Sequence, residues 1–284
     1  MKNDIFNNIL IKKICDYKTY IKILTYYEFN NEKLEDNFKL SKKFELNTYA
    51  EELAKLHFLI NHRQILNISN TELISYLNEI YKKINADKFE IVNCFNNESV
   101  LNNKTKVLIL GSITSISGIK NGYFYTSDTN QTMKLLDSIL QSNKKPIKFE
   151  SIKQELISAR KNGEEMKPIV EKLKNELTNE NIAFLDVIEC CIRPKNSSLD
   201  DDIIISIPYC KSKLYEQIKN SNLKAIFTNS TFVENYFKKY LGYDEITNIF
   251  NINYNKIMSP SPAYLKKLDT KKQDWCSKIC IFLK

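Results

Sequence analysis

Histidine is nearly missing from this 284-residue chain, and the two present, His57 and His62, both lie in its first hundred residues. A histidine-based mechanism is thereby excluded from the rest of the chain, where chemistry has to come from Asn, Asp, Ser, Tyr or Lys. Cysteine occurs seven times (Cys15, Cys94, Cys190, Cys191, Cys210, Cys276, Cys280), but never in the CxxC spacing of a zinc site. Reduced structural thiols are expected: adjacent Cys190 and Cys191 point to opposite faces of a strand, and only Cys276 and Cys280 share a helix face, so a four-cysteine cluster needs a coincidence of folding. No metal or cofactor is expected. Also lacking is any apolar run near the roughly 18 residues that span a bilayer. Met1–Leu10 lacks the basic start and apolar core of a signal peptide. A cytoplasmic protein without membrane association is the expectation. The glycines at Gly111, Gly118 and Gly122 do not match GxGxxG, and neither a phosphate-binding GxxxxGK[ST] nor a GxSxG nucleophile elbow occurs.

What is present suits a folded protein with a sizeable core, as one domain plus an extension or as two domains: 43% of residues are hydrophobic and 27% charged. The net charge of +8 is unevenly placed. Residues 1–100 hold 14 basic and 14 acidic residues, leaving 28 basic and 20 acidic for residues 101–284. An excess confined to one part suggests a polyanionic partner there, because lysines near phosphates release condensed counterions; a solvated lysine surface is the alternative.

The pattern also changes near residue 100. Before it, Thr48–Leu66 and Ser69–Ile84 carry apolar residues at helical spacing, the second behind a Ser or Asn cap. Asn93–Lys106 is asparagine-rich and suits a linker. Beyond it, apolar runs at Lys106–Gly111, Ile182–Ile188, Leu223–Asn229 and Asn255–Ser259 alternate with helical stretches at Thr132–Leu140, Ser151–Leu177, Thr231–Leu241 and Lys271–Leu283. Apolar strands alternating with helices imply an α/β fold: a four-stranded parallel sheet flanked by helices, over residues 101–284, preceded by a helical extension over 1–100. Polar residues gather at the carboxyl end of every strand, which is the ligand crevice of an open α/β sheet. Ser112, Thr114 and Ser115 follow the first strand, Asp186 ends the second run, Asn229 the third, and Ser259–Tyr264 (SPSPAY) follows the fourth.

Val107–Leu136 (VLILGSITSISGIKNGYFYTSDTNQTMKLL) holds Gly111, Ser112, Ser115, Gly122, Tyr123, Phe124, Tyr125, Asn130, Lys134, Leu135 and Leu136 in an ungapped order. That order resembles the first motif of the uracil-DNA glycosylase superfamily, nearest its mismatch-specific and hypoxanthine-type branches. IAFLDVIECC with Asp186, LKAIFTNS with Asn229, and SPSPAY resemble the motifs that follow, so the likeness spans residues 105–284. It implies DNA as the partner and a base-excision activity, in which phosphates are gripped, a nucleotide is flipped out, and water attacks the sugar as the base departs. On that reading Tyr125 stacks on the base, Asn229 helps to hold it, Ser112, Ser115, Ser259 and Ser261 meet phosphates, and Tyr264 or Leu265 is the wedge. Lys266, Lys267, Lys271 and Lys272 would meet flanking phosphates. Simpler structural roles stand beside these: a core tyrosine at Tyr125, and a merely rigid turn at the two serines.

Some positions depart from the resemblance. Ile113 stands where the mismatch-specific branch has its water-positioning Asn, which leaves Asn130 as the candidate for orienting water, or else as a helix N-cap. Ser127 and Asp128 replace His-Pro; Thr132 and Met133 replace an aromatic pair. Smaller, more flexible or polar groups at Ser127, Asp128, Thr132 and Met133 would enlarge the base pocket, which Ile113 would also line. Asp128 is a second carboxylate that could activate water or lie solvated in the loop, and Asp186 could bind the base edge or steady the sugar cation. No lysine falls within the strand-end motifs, so base removal without a Schiff-base strand cut is expected. The favoured substrate is a bulky modified pyrimidine such as phages use to mask their DNA, which would imply a defence role. Ordinary uracil or hypoxanthine repair, and an inactive nucleic-acid-binding relative, are the alternatives. Residues 1–100, with zero net charge, suit packing or a protein partner.

Overall fold

The computed structural model describes residues 50–64, 66–84, 87–95, 101–195 and 197–284. The stretch before residue 50, with Cys15 and half of the expected helical extension, and residues 96–100 of the asparagine-rich stretch lie outside them. In chain order the elements are α1 (Ala50–His62), α2 (Asn70–Lys83), β1 (Phe89–Asn93), β2 (Val107–Gly111), α3 (Ile116–Asn121), α4 (Thr132–Ser142), α5 (Phe149–Asn162), α6 (Lys167–Asn179) and β3 (Ile182–Asp186). There follow β4 (Ile188–Pro194), β5 (Ile205–Pro208), α7 (Lys211–Lys219), β6 (Ala225–Thr228), α8 (Thr231–Tyr236) running into a π-helical turn at Phe237–Leu241, α9 (Tyr243–Ile249), β7 (Asn253–Lys256) and α10 (Leu268–Leu283).

Two compact units result. Of the described residues, one takes those up to Asn93 together with Cys190–Pro208; the other takes those of Cys94–Glu189 and Tyr209–Lys284. In the first, α2 starts at a capping box in which the Ser69 side chain accepts from Glu72 N and Glu72 answers the Ser69 backbone. Its three-stranded sheet has the order β1-β4-β5, with β1 antiparallel to β4 from Phe89 opposite Pro194 to Asn93 opposite Cys190. Arg63 Nη1 and Asn70 Nδ2 both donate to Pro208 O, at 3.4 and 2.8 Å, which ties the helical pair to β5.

The second unit is built on a four-stranded parallel sheet of order β3-β2-β6-β7, with helices packed on it. The apolar runs explain the centre: every residue of β2 and β3 is buried, so both faces are covered. One face carries Val107, Ile109, Phe184 and Phe227 into a core with Leu135, Leu136, Ile139, Trp275 and Ile279 of α4 and α10. The Trp275 indole is fully buried and donates to Met258 O at 2.8 Å, so its one polar atom is satisfied. Because β2 has β3 on one side and β6 on the other, its carboxyl end at Gly111 lies at the switch point of the sheet.

Three features differ from the sequence reading. The fourth strand lies at Asn253–Lys256 rather than Asn255–Ser259, because it is a polar edge strand whose apolar Ile257 and Met258 come after it. The helical stretch 151–177 is two helices: Gly163, at φ +70, caps α5 in the left-handed conformation and ends it. The antiparallel sheet was not anticipated, since IECC directly continues the apolar run of β3.

Candidate active site

The carboxyl ends of β2, β3 and β6 bring Gly111, Asp186 and Asn229 together, and the loop after β2 returns Tyr125 over them. Asn229 Nδ2 donates to the Tyr125 hydroxyl at 2.9 Å. Thr114 Oγ1 donates to Asp186 Oδ2 at 2.8 Å, and Asp186 is 2% exposed. A Cβ at Gly111 would stand 2.8 Å from Asp186 Oδ1 and run into the Tyr125 hydroxyl, so only glycine leaves room for the pair. Tyr125 adopts φ +56, the left-handed region that a bulky residue rarely occupies. The Asn229 bond and an edge-on contact with Phe184, centroids 4.8 Å apart, hold the half-buried ring there. Strain of this kind, about 1–3 kcal/mol, persists where the surroundings over-determine it.

The loop itself is more ordered than its composition suggests. Ser115 caps α3 by accepting from Gly118 N, and Gly122 closes that helix at φ +78. Asn121 Nδ2 donates to Thr126 O, and Thr126 Oγ1 to Tyr123 O at 2.7 Å, so buried side chains brace the Tyr123–Thr126 segment. Asn130 Oδ1 accepts from Thr132 N at 2.9 Å, an Asx-type turn just ahead of α4, whose N-cap position is Gln131 rather than Asn130. The Asn130 carbonyl and that of Asp128 accept from Lys153 Nζ at 2.7 and 3.3 Å. Burial pulls the Lys153 amine below the ordinary lysine value, against the charges of Glu150 and Asp128.

A second loop follows β7. Ser259 Oγ accepts from Ser261 N at 3.3 Å and Ser261 Oγ from Ala263 N at 3.2 Å. Each hydroxyl oxygen is thus occupied as an acceptor and keeps its proton to donate, which suits an anion. Gln131 N donates to Pro260 O at 3.1 Å, which joins this turn to the end of the first loop. Beyond it Tyr264 is 39% and Leu265 94% exposed, followed by exposed Lys266 and Lys267.

The residues singled out in the sequence therefore fall into groups. Tyr125, Asp186 and Asn229 converge. Ser259, Ser261, Tyr264, Leu265, Lys266 and Lys267 form the second loop. Ser112 and Ile113 are half-buried beside the strand end, where Ser112 O accepts from Ile188 N at 3.1 Å. Asp128 is exposed and paired with Arg160 at 3.3 Å. Ser115 caps α3, and the Asn130 side-chain oxygen is held by Thr132 N. Thr132 and Met133 are fully buried, Met133 in the core with Phe124 and Phe184. Lys271 does not sit at the surface to meet phosphates: it is fully buried, donating to Gln131 Oε1 and Ser261 O, both at 2.9 Å. Sequence reasoning passed over Lys153 and Arg160, which sit in an amphipathic charged helix with no local signal of inward use. Thr114, one of the polar residues after β2, had no partner assigned to it.

Among the described residues, no group of three or more His, Cys, Asp or Glu side chains could hold a metal ion, and no helix is long and apolar enough to cross a membrane. No family profile and no curated protein matches the chain. A solution NMR structure from Methanosarcina acetivorans, provisionally assigned as a uracil DNA glycosylase, is similar to it with 21% identity and a TM-score of 0.46, over 68% of this chain and 99% of that one.

Proposed function

We propose that the chain is a DNA glycosylase that removes a base by hydrolysis and leaves an abasic site. The observation that carries this reading is the meeting of the Tyr125 ring, the Asn229 amide and the buried Asp186 carboxylate above Gly111, at the switch point of the sheet. The motif resemblance assigns these same residues to base excision. A flipped base stacks on the Tyr125 ring, whose orientation Asn229 fixes. As the bond from C1′ to the base lengthens, positive charge grows on the sugar, and the Asp186 carboxylate stabilises it in a site of low dielectric. Water adds to C1′ and loses a proton, while the base leaves with the bonding electrons and is protonated. The hydroxyls of Ser259 and Ser261 hold the strand, and Tyr264 or Leu265 fills the gap left by the flipped nucleotide.

The substrate favoured is a modified pyrimidine with a bulky substituent, as in masked phage DNA. Support comes from Ser127 and Asp128, which stand where the resemblance has the more rigid His-Pro pair. The test is abasic-site formation on duplexes carrying such a base, uracil or hypoxanthine. Release from uracil duplexes alone would remove the bulky-substrate part of the proposal.

A second reading is a nucleic-acid-binding protein without catalysis. One contact favours it: the Asn130 side-chain oxygen is engaged by Thr132 N. Tight DNA binding with no base released from any of the three duplexes would establish that reading instead.

A further inference from the structure

We propose that Lys271 is a positioning residue: it presets the Ser259–Tyr264 turn for a backbone phosphodiester of DNA and supplies, from beneath the turn, the positive charge that this phosphate neutralises. The inference rests on the DNA-acting reading above and adds the source of the turn's charge. One ammonium group joins three parts of the site. Its Nζ donates to Ser261 O in the turn and to Gln131 Oε1 at the end of the first loop, and lies 5.5 Å from the centroid of the Tyr264 ring. Gln131 N reinforces the same junction through Pro260 O.

Bracing alone does not require a charge. A fully buried ammonium is costly unless an anion compensates it. Lys153 shows the compensated case, with Glu150 at 3.8 Å and the charge of Asp128 acting on it. At Lys271 burial pulls the amine below the ordinary lysine value, and among the described residues no carboxylate pairs with it. The start of α4 lies at the same junction with no acidic residue in its first turn, so the local potential stays positive. Two hydroxyls with protons to donate, Ser259 and Ser261, belong to the same turn whose Ser261 carbonyl Lys271 binds. A cation with no counter-charge among the described residues, bound to a turn that carries two donors, matches the non-bridging oxygens of a phosphodiester.

A charge-coupling cycle tests this. Duplexes in which one phosphodiester at a time is replaced by a neutral methylphosphonate are titrated against the unsubstituted protein and Lys271→Met. In the unsubstituted protein one position should weaken binding about tenfold or more; in Lys271→Met the same position should cost no more than about threefold. The plot of log affinity against log salt should become shallower in Lys271→Met by up to ~0.9, the increment of one phosphate. Gln131→Leu, which removes a hydrogen bond but no charge, should keep the original slope. Equal methylphosphonate penalties in both proteins, or an unchanged slope in Lys271→Met, overturn the inference. If Lys271→Met does not fold, the Lys271 ammonium resonance of the unsubstituted protein carries the test. A shift with the ordinary duplex that vanishes with the methylphosphonate duplex supports the inference; equal shifts overturn it. A protein that binds no DNA refutes both this and the glycosylase reading, whereas base release with Lys271 uncoupled refutes this alone.

Discussion

Asn229, at the end of β6, donates from Nδ2 to the hydroxyl of Tyr125 at 2.9 Å, and so a strand end and a loop tip 104 residues apart in sequence share one hydrogen bond. The bond fixes the plane of a ring already held in a rare backbone conformation. Separating ring from hydroxyl tests what each does. Tyr125→Phe should keep most base release, because the stacking face remains, while Tyr125→Ala should lose about 100-fold or more in single-turnover rate. Equal rates in both variants would show that the ring does not touch the base.

Gly111 is the position where the site is tightest, and adding one methyl group there is informative. Gly111→Ala should destabilise by about 1–3 kcal/mol through overpacking against the Tyr125 hydroxyl and Asp186. Removing that hydroxyl in Gly111→Ala/Tyr125→Phe should recover a good part of the loss. Melting temperatures of the four proteins form a double-mutant cycle, and strict additivity would contradict the crowding.

Asn130 can hold the backbone ahead of α4, orient water, or do both, and two substitutions distinguish these roles. Asn130→Asp keeps an oxygen for Thr132 N, and stability should change little, whereas Asn130→Ala should cost about 0.5–1.5 kcal/mol. If that hydrogen bond is its whole role, Asn130→Asp retains base release; a rate lost without a change in melting temperature assigns the amide to the chemistry.

Glu180 gives a pH-dependent prediction. Burial alone would raise its carboxyl, but hydrogen bonds from Lys145 and Lys148, at 2.6 and 2.7 Å, and their charges hold it below the ordinary glutamate value. With the folded pKa lowered, this stabilisation is complete above the unfolded value of 4.5 and is lost as pH falls through the lower folded value. Glu180→Gln should therefore cost about 1–3 kcal/mol at pH 7, with the difference from the unsubstituted protein shrinking in acid. A difference independent of pH would contradict the pairing.

How far these features could be read from the sequence depended on how local their causes are. The runs VLIL, IAFL and AIF announce β2, β3 and β6 because a strand covered on both faces needs nearly every residue apolar. The edge strand β7 (NYNK) has no such requirement and was placed two residues late. Asp186 and Asn229 were legible as polar residues ending apolar runs. The inward roles of Lys153 and Lys271 were not, since a lysine in a charged helix looks the same whether it meets solvent or a carbonyl in a distant loop. Thr132 and Met133 were read as pocket walls, but their burial depends on how α4 packs in the core, which short-range pattern does not encode.

The central claim is that the Tyr125–Asp186–Asn229 site breaks an N-glycosidic bond. Single-turnover release of free base, quantified from duplexes carrying a bulky modified pyrimidine, uracil or hypoxanthine, tests it most directly when the unsubstituted protein is compared with Asp186→Asn. The account predicts stoichiometric base release with an alkali-labile abasic site, fastest on the bulky pyrimidine, and a loss of about 100-fold or more in Asp186→Asn with DNA affinity retained. Binding without release from any duplex, or release unaffected by Asp186→Asn, would contradict it.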